Sequence, residues 1–191
     1  KRKDYTEMKK IIVIILFFCS TSLFAQVIKV ENEYYSNTFI KKELTSQEGN
    51  SKAYLKNFYV NGQLESQGWL LNGEKDLYWV YYFEDGTTKS EGRYVQEMKN
   101  GYWKEYYQNT KLKSEGHYKM GIKTDWWIFY NKQGDITNEG HYIGELKNGF
   151  HHIYAEGKPL YAGHFVNDVR KGTWVTLNKK GDFIAIEEYG E

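Results

Sequence analysis

From Ala53 onward, apolar and polar positions alternate in runs of about six to eight residues rich in Tyr, Trp, Phe and Ile. Each run is closed by a cluster of Gly, Asn or Asp. Alternation with a period of two marks strands, and the short clusters between them mark hairpin turns. The tetrads Tyr59-Val60-Asn61-Gly62 and Phe83-Glu84-Asp85-Gly86 carry the Asn-Gly and Asp-Gly pairs that tolerate positive φ. No stretch after Ala25 keeps a period of 3.6, so helices are expected to be rare.

The alternation is itself periodic. Glu91-Gly92-Arg93-Tyr94 returns 24 residues on as Glu115-Gly116-His117-Tyr118 and again as Glu139-Gly140-His141-Tyr142. A weaker copy, Ala162-Gly163-His164-Phe165, follows after 23 residues, and Gln67-Gly68-Trp69-Leu70 lies 24 before the first. Other landmarks keep the same phase. An aromatic before the turn recurs as Phe58, Tyr82, Tyr106, Tyr130 and Tyr154, with Leu177 last. Three residues earlier stand Leu55, Trp79, Trp103, Trp127, His151 and Trp174. The turn glycine recurs as Gly62, Gly86, Gly134, Gly157 and Gly181, and Thr110 replaces it once. A repeat of this length is one supersecondary unit that buries its apolar surface only against its neighbours.

The unit Gly101-Tyr102-Trp103-Lys104-Glu105-Tyr106-Tyr107, a turn, then Glu115-Gly116-His117-Tyr118 resembles the MORN repeat in its bacterial variant form. The resemblance covers roughly residues 53–190. It implies an all-β fold, an elongated single-layer antiparallel β-meander of about six stacked hairpins, with a role in interaction rather than catalysis. It also implies the label that many similar bacterial proteins carry, the antitoxin of a toxin–antitoxin system. This chain departs from the pattern where Asp125 stands for the glycine before Trp and His151 for Trp itself. Glu74, Glu97 and Glu145 fall at turns where glycine is common, which predicts wider hairpins there.

Three segments are expected. Residues 1–25 read as a signal peptide with an upstream extension: Met8-Lys9-Lys10, the apolar run Ile11 to Phe18, and a small residue, Ala25, at the expected cleavage point. That run is shorter than the roughly 20 residues a spanning helix needs, so no integral membrane segment is expected in the mature chain. Phe18 before Cys19, the only cysteine, disfavours lipidation. Residues 26–52 read as a leader capping the repeats, with short strands at Val27 to Val30 and Tyr34 to Ile40 and a polar loop from Ser46 to Lys52. Residues 53–191 form the repeat domain. The chain is therefore expected to be exported, in the periplasm, at the outer membrane or secreted.

Charge excludes little but excludes it clearly. The 26 basic and 25 acidic residues give +1, and the first 25 residues take five basic and two acidic ones with them, which leaves −2. A dedicated nucleic-acid binder needs a basic face, so no nucleic-acid partner is expected.

Candidate chemistry sits in the repeated motif. His117, His141 and His164 are two strands apart, roughly 10 Å along a sheet, too far to share a metal ion. His151 and His152 are neighbours on one strand and point to opposite faces. The same spacing separates Glu91, Glu115 and Glu139, and an active site is a single constellation rather than a residue copied along a ladder. No catalytic residue, metal or cofactor is expected. Glu91, Arg93, Glu115, His117, Glu139 and His141 are instead the candidate interaction face. Trp79, Tyr82, Gly92, Tyr94, Trp103, Tyr106, Gly116, Tyr118, Trp127, Tyr130, Gly140, Tyr142 and Trp174 are the structural core of the repeat. Glycines such as Gly92 leave room for a ring from the next strand. A single layer cannot bury aromatics on both faces, so some rings are expected to stay exposed for a partner. The expected function is a non-enzymatic scaffold for protein–protein interaction. The alternatives are an antitoxin or immunity protein, and an envelope module that binds glycan by stacking.

Overall fold

The computed structural model describes residues 11–17, 26–36, 39–178 and 180–190. Among them are fifteen strands and no helix: β1 (Ile11–Phe17), β2 (Gln26–Tyr34), β3 (Ile40–Gln47), β4 (Lys52–Phe58), β5 (Leu64–Leu71), β6 (Glu74–Tyr82), β7 (Thr88–Val95) and β8 (Met98–Tyr106). There follow β9 (Leu112–Lys119), β10 (Ile122–Tyr130), β11 (Ile136–Ile143), β12 (Leu146–Ala155), β13 (Lys158–Val166), β14 (Val169–Leu177) and β15 (Phe183–Tyr189). Strand order follows chain order, an open antiparallel meander. The all-β meander expected from the alternation is what the chain forms.

The strands fall into two compact units, Lys1–Thr88 with Tyr94–Glu97, and Lys89–Arg93 with Met98–Glu191. In the first, the leader is built of hairpins like the rest: β2 pairs with β3, and β3 with β4. The expected strand from Tyr34 to Ile40 is a connection instead, since Tyr34 ends β2 and Ile40 begins β3. Tyr35 N donates to Phe39 O at 2.8 Å across it. Ser36 stands in a turn, and Ser and Asn are residue types that favour a turn over a ladder. Asn37 and Thr38 lie outside the described residues. The expected loop from Ser46 to Lys52 is correspondingly shorter, because Ser46 pairs with Ala53. Of the segment read as a signal peptide, the structure describes Ile11 to Phe17, a β-branched run paired with β2. Cys19 and Ala25 also lie outside the described residues.

Two turn types alternate. The longer ones close with a backbone bond such as Tyr107 N to Lys111 O at 2.8 Å and place a residue at positive φ: Gly62 at 83°, Gly134 at 95° and Thr110 at 67°. The shorter ones hold two residues, as at Asn72-Gly73 (φ 52° and 86°). Glu97 does not widen its hairpin. It adopts φ 65° after Gln96 at 49°, and its carboxylate accepts the Lys75 amide at 2.5 Å. Glu74 is the first residue of β6, and Ile143 pairs with Leu146 across Gly144-Glu145. The ladder on each side fixes the turn length, whatever side chain occupies it. Between β12 and β13 the longer turn is replaced by Glu156-Gly157, closed by Ala155 and Lys158, which accounts for the one 23-residue spacing.

The glycine before each Trp also has a conformational reason. Leu77, Gly101, Asp125, Gly149 and Gly172 all have φ between 58° and 109°, and beside Leu77, Asp125, Gly149 and Gly172 the strand bulges. Leu77 and Asp125 hold this left-handed conformation with a side chain.

In each unit the indoles on one face are buried without a second layer. Trp79, Trp103 and Trp127 have no exposed surface, and Trp174 has 1%. Each lies flat on a glycine of the preceding strand: a Cβ at Gly68, Gly92, Gly116 or Gly163 would fall 2.3–2.4 Å from the ring. Each indole Nε1 also donates to a carbonyl of that strand, from Trp79 to Trp69 (2.8 Å) through Trp174 to His164 (3.1 Å). Within the second unit, edge-to-face contacts run from Trp103 to Tyr118, Tyr118 to Trp127, Phe165 to Trp174 and Trp174 to Tyr189 at 4.9–6.3 Å. Such pairs contribute about 1 kcal/mol each beyond the area they bury.

A cation caps every ring cluster. Lys75 Nζ lies 5.0 Å from the Trp79 ring, Lys99 4.3 Å from Trp103, Lys123 5.1 Å from Trp127 and Lys147 4.9 Å from Phe165. Arg170 stands 4.4 Å over Trp174. The cationic heads themselves lie over the rings and cover them, the role a second layer would otherwise fill.

Candidate binding face

On a strand, residues three apart point to opposite sides. Tyr82, Tyr106 and Tyr130 therefore leave the tryptophan face and join the candidate interaction residues on the other one. Gly92, Tyr94, Gly116, Tyr118, Gly140 and Tyr142 stay on the tryptophan side, buried.

This second face is built in two rows. In the first, Glu91, Glu115 and Glu139 each accept a bond from a tyrosine of the following strand: Tyr106 Oη at 2.6 Å, Tyr130 Oη at 2.6 Å and Tyr154 Oη at 2.5 Å. Gln67 takes the same place against the Tyr82 hydroxyl at 2.6 Å. Burial, and then the bond to Glu139, push the Tyr154 hydroxyl up to about 12; the Tyr130 hydroxyl is raised by burial and by Glu115. These phenols stay protonated and act as fixed donors.

In the second row stand Arg93, His117, His141 and His164, all exposed. Each histidine meets an aromatic of the neighbouring strand edge to face: His117 and Tyr102 at 5.0 Å, His141 and Trp126 at 5.1 Å, His164 and Phe150 at 5.2 Å. Trp69 and Tyr54 make the equivalent pair at 5.1 Å in the first unit. Tyr102 is 45% exposed and Tyr78 53%, so this face keeps open aromatic surface where the other buries its indoles.

The two adjacent histidines separate as strand geometry requires. His152 lies near Glu139, with Nδ1 3.4 Å from Oε1. His151 has no exposed surface and occupies a tryptophan position. Its Nε2 lies 2.7 Å from His141 O, the acceptor an indole would use, which makes Nε2 the protonated nitrogen. Burial lowers its pKa to about 4, and the Lys147 charge adds to that. His151 is thus a neutral substitute for Trp, and Asn138, whose Oδ1 lies 3.4 Å from His151 Nδ1, is larger than the Ser66 and Ser114 found at its position in other repeats.

Among the described residues, no group of three His, Cys, Asp or Glu is placed to hold a metal ion, and no helix is long and apolar enough to cross a membrane. The cation row over the tryptophans escapes a reading of the sequence. Its signal is present, since Lys75, Lys99, Lys123 and Lys147 recur every 24 residues. Turn-proximal lysines read as solvated charge until their ring contacts are known.

No family model matches the chain, and no curated protein matches it. Among solved structures, the chain is similar to one described as "Crystal Structure of TarM", at 6% identity and a TM-score of 0.21. The match covers 69% of this chain and 21% of that one, so it spans about a fifth of the TarM chain.

Proposed function

We propose that the chain is a non-enzymatic, MORN-like repeat platform, exported to the cell envelope, that binds a protein partner through the face carrying Arg93, His117, His141 and His164. One observation carries the reading: the two faces differ in kind. The indoles of the tryptophan face are capped by the chain's own lysines, whereas the opposite face repeats histidine–aromatic pairs whose histidines are exposed. Partly open aromatic rings beside exposed polar groups have the composition of an interaction site. Identical groups recurring along a ladder suit an extended ligand better than one reacting atom.

A photo-crosslinking residue placed at His117 or His141 in the producing cell tests this. The expected result is a discrete protein adduct from both positions and none from Gln133, in a turn. Adducts from Gln133 alone, or adducts to glycan rather than protein, would contradict the proposal. A toxin as the captured protein would be the antitoxin case of the same reading. Export has its own readout, a mature form beginning at Gln26.

A further inference from the structure

We infer that the partner segment is a proline-rich, acidic stretch in the polyproline II conformation, lying across the strands along the Arg93–His117–His141–His164 row. This rests on the platform reading and adds the chemistry of the ligand.

The spacing is the first argument. Row residues recur every second strand, about 9.6 Å apart. A polyproline II helix turns once in three residues and advances about 9.3 Å per turn, so every third side chain meets the next repeat. Over three repeats the mismatch is only about 1 Å. An α-helix advances about 10.5 Å per seven residues and drifts about 3 Å over the same distance. A β-strand places same-side residues about 6.7 Å apart and loses register at once.

The chemistry of the row is the second argument. Tyr102, Trp126 and Phe150 form ridges between the imidazoles, each about 5 Å from its histidine (5.0, 5.1 and 5.2 Å). Pyrrolidine rings pack on aromatic ridges, and a polyproline II backbone has no internal hydrogen bonds, so its carbonyls are available to side-chain N–H donors.

Hydrogen-bonding capacity is the third. The adjacent glutamates already accept from Tyr106, Tyr130 and Tyr154, whereas the exposed row presents the Arg93 guanidinium and the N–H donors of three imidazoles. Those donors suit carboxylate acceptors placed once per turn.

The probes are three synthetic peptides, (Pro-Pro-Glu)4, (Pro-Pro-Lys)4 and (Gly-Ser-Glu)4, titrated into the intact protein by calorimetry. The first should bind, and the lysine peptide and the flexible acidic peptide should each bind at least about tenfold more weakly. His117→Ala with His141→Ala, both at exposed positions, should weaken the first peptide at least about tenfold while the variant keeps the circular dichroism spectrum and cooperative unfolding of the wild type. No binding of (Pro-Pro-Glu)4, equal binding of (Gly-Ser-Glu)4, or tighter binding of a helical peptide with glutamate every seventh residue would overturn the inference. A cross-linked protein partner lacking any such segment would also overturn it, and would leave the platform reading standing.

Discussion

Gly116 lies beneath the indole of Trp127 so closely that a Cβ on it would sit 2.4 Å from the ring. That contact explains both the glycine and the tryptophan of the repeat. A ring flat on a bare backbone is buried from one side by its own sheet, and Lys123 covers the other. Gly116→Ala must push the ring off its seat, with an overpacking cost of about 3 kcal/mol. Denaturant unfolding should show that loss, while Gly190→Ala, where nothing lies within 4 Å, should leave stability unchanged.

His151 and Asn138 form an internally compensated exception. A neutral imidazole replaces the indole, and the larger amide fills part of the space a serine leaves. His151→Trp alone should destabilise by crowding Asn138, and adding Asn138→Ser should restore stability. The double-mutant cycle should therefore show a coupling of about 1 kcal/mol or more. Additive effects would refute the compensation.

The same histidine gives a pH signature. Its folded-state pKa, about 4, lies below its ordinary value of 6.5. The neutral form is favoured by folding, so its contribution is complete above pH 6.5 and is lost as pH falls toward 4. Thermal midpoints of the wild type should decline through that window more steeply than those of the His151→Trp, Asn138→Ser variant. Parallel curves would show that His151 is not buried neutral.

Much of this architecture is legible in the chain. Gly92, Gly116 and Gly140 announce themselves by phase, and the Asn-Gly and Asp-Gly tetrads by turn chemistry. The leader is less legible. Tyr34 to Ile40 is as rich in aromatic and β-branched residues as a strand, and only the Ser36-Asn37 pair within it speaks for a turn. Faces are misread when the repeat is treated as a set of landmarks: Trp103 and Tyr106 look like one core motif, yet an odd spacing sends them to opposite sides. Burial of Trp103 within a single layer depends on Lys99, a contact between side chains that no local pattern encodes.

Thr110 stands at φ 67° where other repeats place glycine. A β-branched residue is strained there, and the position is exposed, so Thr110→Gly should stabilise by about 1 kcal/mol. The midpoint of urea unfolding is the readout, and a destabilised variant would mean that Thr110 makes contacts worth more than the strain.

His151 is buried on the tryptophan face, while the histidines of the opposite face are exposed, where the proposed partner would cover them. Histidine carbethoxylation, mapped by mass spectrometry with and without the cross-linking partner, measures both halves together. His117, His141 and His164 should react in the free protein and be shielded in the complex, while His151 should be inert in both. A reactive His151, or three row histidines indifferent to the partner, would contradict it.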